Sequence, residues 1–165
     1  MTLFDLIPEI PEPLLVESPV FPPVLRVQLL KEDANSYTDR EEVKGHFEAA
    51  AILRRYLQHE DREHFVAMML DVKNRVIGIH TVSIGILNAA LVTPREVFKA
   101  AILSNAMSVV LGHNHPSGDP TPSPEDLEIT ERLKKAGEIL GIEVLDHVII
   151  GEGEMHCSLR SLGKC

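Results

Sequence analysis

The sequence has no tryptophan, only 4% aromatic residues and only two cysteines among its 165 residues. So few aromatics leave little material for stacking nucleic-acid bases. Cationic residues are also in short supply: 16 Lys and Arg stand against 25 Asp and Glu, a formal net charge of -9. That balance argues against a protein held to nucleic acid by phosphate contacts, although a small basic patch is compatible with it. Cys157 and Cys165 form no CxxC pair and read as reduced thiols rather than a disulfide framework. The longest unbroken apolar run, Phe65 to Leu70, is far too short to span a membrane. No Lys or Arg precedes Arg26, and Asp5, Glu9, Glu12 and Glu17 interrupt the apolar residues, so the pattern of a signal peptide is missing. The expectation is a cytoplasmic protein without membrane contact.

What is present suits one globular domain. Hydrophobic residues make up 44% and charged residues 25%, an ordinary soluble composition. The length is enough to bury a core without metal or disulfide staples.

Proline marks the organisation. Six of the 11 prolines lie at positions 8, 11, 13, 19, 22 and 23. Residues 1–38 therefore read as a Pro-rich leader, extended or disordered, because proline fixes φ and removes a backbone donor. Leu14, Leu15, Val16 and Phe21 give it apolar points at which it could dock a partner. Residues 39–165 read as the folded domain. Four more prolines, at 116, 120, 122 and 124, stiffen a loop next to two histidines.

The periodicity predicts an α/β (α+β) domain: one mixed, mostly antiparallel sheet flanked by helices. Val24 to Leu30 suits a short strand. Thr38 and Glu41 resemble a capping box opening a helix that runs to about Leu57, with Phe47, Ala50, Ala51, Leu53 and Leu57 on its core side. Phe65 to Leu70 reads as a strand buried on both faces. Asp71 to Arg75 reads as a turn, with unusual φ at Asn74, and Val76 to Ile86 as the returning strand. Thr93-Pro94-Arg95-Glu96 and Ser123-Pro124-Glu125-Asp126 are two helix starts of the same chemistry. Between them Met107 to Leu111 forms a buried strand. Gly141 ends the second helix, and Ile142 to Ile150 and Met155 to Leu159 are strands joined at a Gly151–Gly153 turn.

The segment rich in chemistry is HNHPSGDPTPSPED, His113 to Asp126. Residues two apart in an extended chain face the same way, so His113 and His115 can aim two imidazoles at one point. Zinc takes imidazole nitrogens, and catalytic zinc sites commonly use three protein ligands and a water. Asp126, in the first turn of the following helix, is the third ligand the Pro-rich loop can fold back. Ser123 and Asp126 also make sense simply as a helix start. The two readings are compatible, since a helix N-terminus suits an anionic ligand and a hydroxyl aimed at developing charge. A hydrolase further needs a general base, for which Glu60 and Glu63 are candidates. The stretch His59 to His64 is not a zincin motif, because its second histidine falls at i+5 and the segment leads into a strand. Asp119 and Ser117 could support the ligands from the loop, but suit turn formation better. His147 suits a hydrogen-bonded structural role within its strand.

His113-x-His115, seven residues, Ser123, two residues, Asp126 resembles the JAMM motif of JAB/MPN-domain metalloproteins. The longer string resembles the RadC-type branch. It is joined by Phe65 to Asp71 with Lys73-Asn74-Arg75, Pro94 to Phe98, Ala136 to Gly141 and Leu145 to Gly151. The resemblance spans residues 40 to 162 or so. It implies a single JAB/MPN domain with a zinc site, ligated by His113, His115 and Asp126. It implies Glu63 as general base and Ser123 as donor to the tetrahedral oxyanion. It implies hydrolysis of a peptide or isopeptide bond in a peptide or protein substrate. The other readings are a non-catalytic JAB-fold interaction module and an accessory factor in DNA repair or processing. The acidic charge weighs against the last. Longer RadC-type proteins carry a helix–hairpin–helix segment before this domain, for which the short leader offers no room.

Overall fold

The computed structural model describes residues 40–57, 59–85 and 92–165. The leader and the strand expected at Val24 to Leu30 lie outside the described residues. The elements run α1 (His46–Leu57), β1 (His64–Leu70), β2 (Val76–Ile84), α2 (Pro94–Leu103), β3 (Ser108–Asn114), α3 (Pro124–Leu140), β4 (Glu143–Ile150) and β5 (His156–Ser158). The sheet order is β2-β1-β3-β4-β5, with β3 and β4 parallel and every other pair antiparallel. This is the mixed, helix-flanked α/β sheet that the periodicity predicts.

The central strands are apolar on both faces because both faces are covered. Along β1, Phe65, Ala67 and Met69 join the core beneath α2 and α3. Val66, Met68 and Leu70 join the core beneath α1. The period-2 alternation of a strand thus feeds two separate cores. Leu53 and Leu57 anchor α1 and are fully or almost fully buried, each contributing about 1.5–3 kcal/mol. Where α1 crosses β3, a Cβ on Gly112 would stand 2.7 Å from Leu53 Cδ1. A side chain there would force the buried Leu53 side chain to shift where it packs on the strand that carries His113.

Two turn residues behave as their chemistry demands. Asn74 closes the β1–β2 hairpin at φ 55, and Gly141 ends α3 in the left-handed region at φ 69.

The helix expected from Thr38 begins later, at His46. Residues 41–43 are committed elsewhere: Val43 N–H donates to Asn74 O at 2.8 Å, and Val76 N–H donates to Glu41 O at 2.9 Å. Pairing with the hairpin outcompetes helix formation, and Thr38 lies outside the described residues. Ala50, Leu53 and Leu57 of the expected core side are buried, but the buried face is turned toward Ala49 and Ile52. Phe47 is 69% exposed and Ala51 is exposed. Strand β3 runs three residues past Leu111, because its ladder to β4 continues through Asn114 opposite Ile150.

Candidate metal centre

Three elements bring the chemistry together. The end of β3 and the residue after it supply His113 and His115. The first turn of α3 supplies Asp126, and the residue before β1 supplies Glu63. One ligand atom from each of these four side chains lies within 4.8 Å of all the others. His113 Nε2 is 3.0 Å from His115 Nε2, 3.2 Å from Asp126 Oδ1 and 3.8 Å from Glu63 Oε1. His113 and Asp126 are fully buried, while His115 and Glu63 keep some exposure, so the cluster opens to solvent on one side.

Local structure explains each position. Phe65 of β1 pairs with His113 of β3, which sets Glu63 across from the histidines. The peptide groups flanking Glu63 are clamped by Asn114, whose Oδ1 accepts from His64 N–H and whose Nδ2 donates to Arg62 O, both at 2.8 Å. The ladder to β4 extends one bond further, His115 N–H to Ile150 O at 2.9 Å. The backbone therefore stays extended through both histidines and they share a face. The capping box of α3 is complete: the Ser123 hydroxyl accepts from Asp126 N–H, and Ser123 N–H donates to Asp126 Oδ2 at 2.7 Å. The Ser123 hydroxyl also donates to Asp126 Oδ2, at 2.7 Å.

These bonds decide which atoms face inward. With Asp126 Oδ2 taken by Ser123, Oδ1 is buried and has no hydrogen-bond partner. An orphaned carboxylate oxygen calls for a cation or a proton. His115 Nδ1 lies 2.7 Å from Asp119 O, which can only accept. The proton is therefore on Nδ1, and a neutral His115 presents a bare Nε2 to the cluster. His113 Nδ1 faces His147 Nε2 at 2.8 Å, which leaves His113 Nε2 also pointing inward. Two imidazole nitrogens and one carboxylate oxygen converging on one point fit a divalent transition metal of the borderline kind.

The electrostatics agree. Burial opposes ionisation of Asp126, yet the neighbouring His113 and His115 rings, which attract the carboxylate when protonated, and the Ser123 hydroxyl outweigh it and hold the carboxyl well below its usual value. The bond to Asp126 raises His115, against the opposing effect of burial. His147 is fully buried, and burial drives it well below the usual histidine value, so it is neutral.

The chain matches the model of the RadC-like JAB domain over residues 43–164. It belongs to that family. Among its curated relatives, a UPF0758 protein of Caldanaerobacter subterraneus is 61% identical over 102 residues, covering 62% of this chain and 44% of the relative. One of Desulforudis audaxviator is 54% identical over 107 residues, 65% of this chain and 46% of the relative. One of Desulfitobacterium hafniense is 53% identical over 114 residues, 69% and 50% respectively. The chain thus spans about half the length of the curated relatives it matches.

Within this RadC-like domain the sequence-derived residues fall as follows. Glu63, His113, His115 and Asp126 converge, and Ser123 touches Asp126 rather than open space. Glu60, the other candidate base, instead pairs with His64 at 3.2 Å. The Asp119 carboxylate holds the turn through Thr121, as its loop position suggests, while its backbone carbonyl orients His115. Asn114 and Thr130 are further residues of the site that the motif does not include. Their signal was available: a polar side chain closing a buried strand, and a threonine on the buried stripe of an amphipathic helix, each need a partner. No described helix is long and apolar enough to cross a membrane.

Proposed function

We propose that this domain is a zinc-dependent hydrolase that cleaves a peptide or isopeptide bond. One observation carries the reading: a carboxylate, Glu63, stands 3.8 Å from His113 Nε2 at the rim of a convergent set of two imidazoles and one carboxylate. Three donors and a neighbouring acid are the parts of a catalytic rather than a closed structural zinc site. His113 Nε2, His115 Nε2 and Asp126 Oδ1 are the atoms that would hold the ion. Bound there, zinc would polarise the scissile carbonyl and lower the pKa of a water to about 7.

The protein side chains supply the rest. Glu63 takes the proton of the attacking water as the C–O bond forms and the carbonyl electron pair moves onto oxygen. It then delivers that proton to the leaving amine as the carbonyl re-forms and the C–N bond breaks. Asn114 fixes the backbone on both sides of Glu63, so the carboxylate is aimed before substrate arrives. Ser123 can donate to the carbonyl oxygen only by turning its hydroxyl away from Asp126 Oδ2, where its proton now lies. Beside His115, a groove of about 350 Å³ bounded by Leu57, Glu60, Ile150 and Glu152 offers room for the substrate chain.

The test compares the zinc-loaded full chain with Glu63→Gln on libraries of peptides and isopeptide-linked peptides. Cleavage by the parent, reduced by about 10²–10⁴-fold in the variant with zinc retained, is the expected result. Identical behaviour of the two proteins, both retaining zinc, would reject catalysis in favour of an interaction platform.

A further inference from the structure

Behind the candidate ligands lies a chain of buried polar groups. His147 on β4 and Thr130 on α3 are both fully buried. In the parallel ladder His147 stands beside Leu111, two residues from His113 along the same face of β3. Phe65 seals the pair, lying edge-on to His147 and stacked on His113. His113 Nδ1 is 2.8 Å from His147 Nε2. His147 Nδ1 is 2.6 Å from Thr130 Oγ1. Thr130 Oγ1 is in turn 2.6 Å from the backbone oxygen of Asp126.

Counting protons fixes every direction. A carbonyl oxygen only accepts, so the single hydroxyl proton of Thr130 lies on the bond to Asp126. Reversing that bond would leave two oxygens 2.6 Å apart with no proton between them. Thr130 Oγ1 therefore accepts from His147, which carries its proton on Nδ1. A neutral imidazole has one N–H, so His147 Nε2 accepts, and the proton between the rings belongs to His113 Nδ1. His113 Nε2 is left to face His115 Nε2 and Asp126 Oδ1. The chain begins at one candidate ligand and ends on the backbone of another, so it ties β3 and α3 together through the site.

We propose that His147 and Thr130 are positioning residues that lock His113 in the tautomer with its proton on Nδ1, keeping Nε2 open for a metal ion. The purpose of the lock rests on the metal-centre reading; its existence does not. Histidines that bind metals commonly give their other N–H to a fixed acceptor, and loss of such an acceptor costs about 10–100-fold in affinity.

The test is nitrogen NMR of the metal-free full chain with labelled histidine at pH 8, joined to zinc affinity by chelator competition. In the parent, His113 Nδ1 should carry a slowly exchanging proton and Nε2 should be bare. His147→Phe and Thr130→Val should release His113 into a mixture of tautomers and weaken zinc binding by about 10–100-fold. His147→Gln, whose amide oxygen can still accept from His113, should restore most of both. Should His147→Phe fail to fold, the near-isosteric Thr130→Val carries the test. A parent proton on His113 Nε2, or a folded His147→Phe with unchanged tautomer and unchanged zinc affinity, would overturn the proposal. A parent that binds no zinc would sink the metal centre, and the metal-free spectrum would still decide the lock.

Discussion

Two helices of this domain open with nearly the same four residues, Thr93-Pro-Arg-Glu96 for α2 and Ser123-Pro-Glu-Asp126 for α3, and they end up in different chemistry. At α2 the Thr93 side chain makes no capping bond, and Glu96 pairs forward along the surface with Lys99 at 2.7 Å. At α3 the capping box is complete and Asp126 is fully buried against two histidines. A helix start alone therefore carries no site. The shorter acid, drawn back by Ser123, spends one oxygen on the helix and keeps the other for the cluster. The longer acid stays at the surface, held chiefly by Lys99.

The sharpest way to break this contrast is to remove each acid. Asp126→Ala should lower zinc affinity by more than about a hundredfold, beyond the loss seen for groups that merely orient ligands. Glu96→Ala should leave it unchanged. Calorimetric titration of both variants checks the pair.

Acidity separates the two helix starts next. In the metal-free protein His115 is raised, chiefly by Asp126. Its pairing therefore stabilises the fold fully below the ordinary histidine value of about 6.5 and is lost as pH rises through the raised value. Zinc needs the neutral ring, so its binding runs the other way and should begin to fall while the pH is still above about 6.5. Melting temperatures with and without zinc between pH 5 and 8 should therefore converge on acidification. Asp126 is depressed, so its contribution holds above the ordinary carboxylate range and is lost as pH falls below it. Glu96 is also depressed, by its bond to Lys99, but its side chain is exposed, and salt should erase its effect.

Smaller effects follow from the caps. Ser123→Ala should destabilise the fold by about 0.5–2 kcal/mol, the usual cost of losing a capping hydroxyl. Thr93→Ala should cost less, since no side-chain bond is lost there. Denaturant midpoints of the two variants measure the difference. Parity between them would mean that the capping box of α3 adds nothing to stability.

Much of this arrangement is legible in sequence, for reasons that differ by element. The buried β1, the hairpin turn at Asn74 and the αL stop at Gly141 rest on local chemistry, and they form where local chemistry puts them. The convergence of His113, His115 and Asp126 follows from strand period, a stiff loop and a helix start, all short-range. The start of α1 was misread because residues 41–43 pair with the chain some 30 residues on, and no local signal reports that. Asn114 and Thr130 each signal locally that a buried polar group needs a partner, but the partners themselves, Arg62, His64 and His147, are brought near only by long-range packing. The place of Glu63 in the cluster depends on β1 lying next to β3, a long-range pairing that its own surroundings do not announce.

The most direct test of the account is anomalous diffraction at the zinc edge from crystals of the zinc-loaded full chain. The account predicts one strong peak in bonding contact with His113 Nε2, His115 Nε2 and Asp126 Oδ1, with Glu63 beside it. No peak there, or zinc held by other side chains while these four stay as they are, would contradict it.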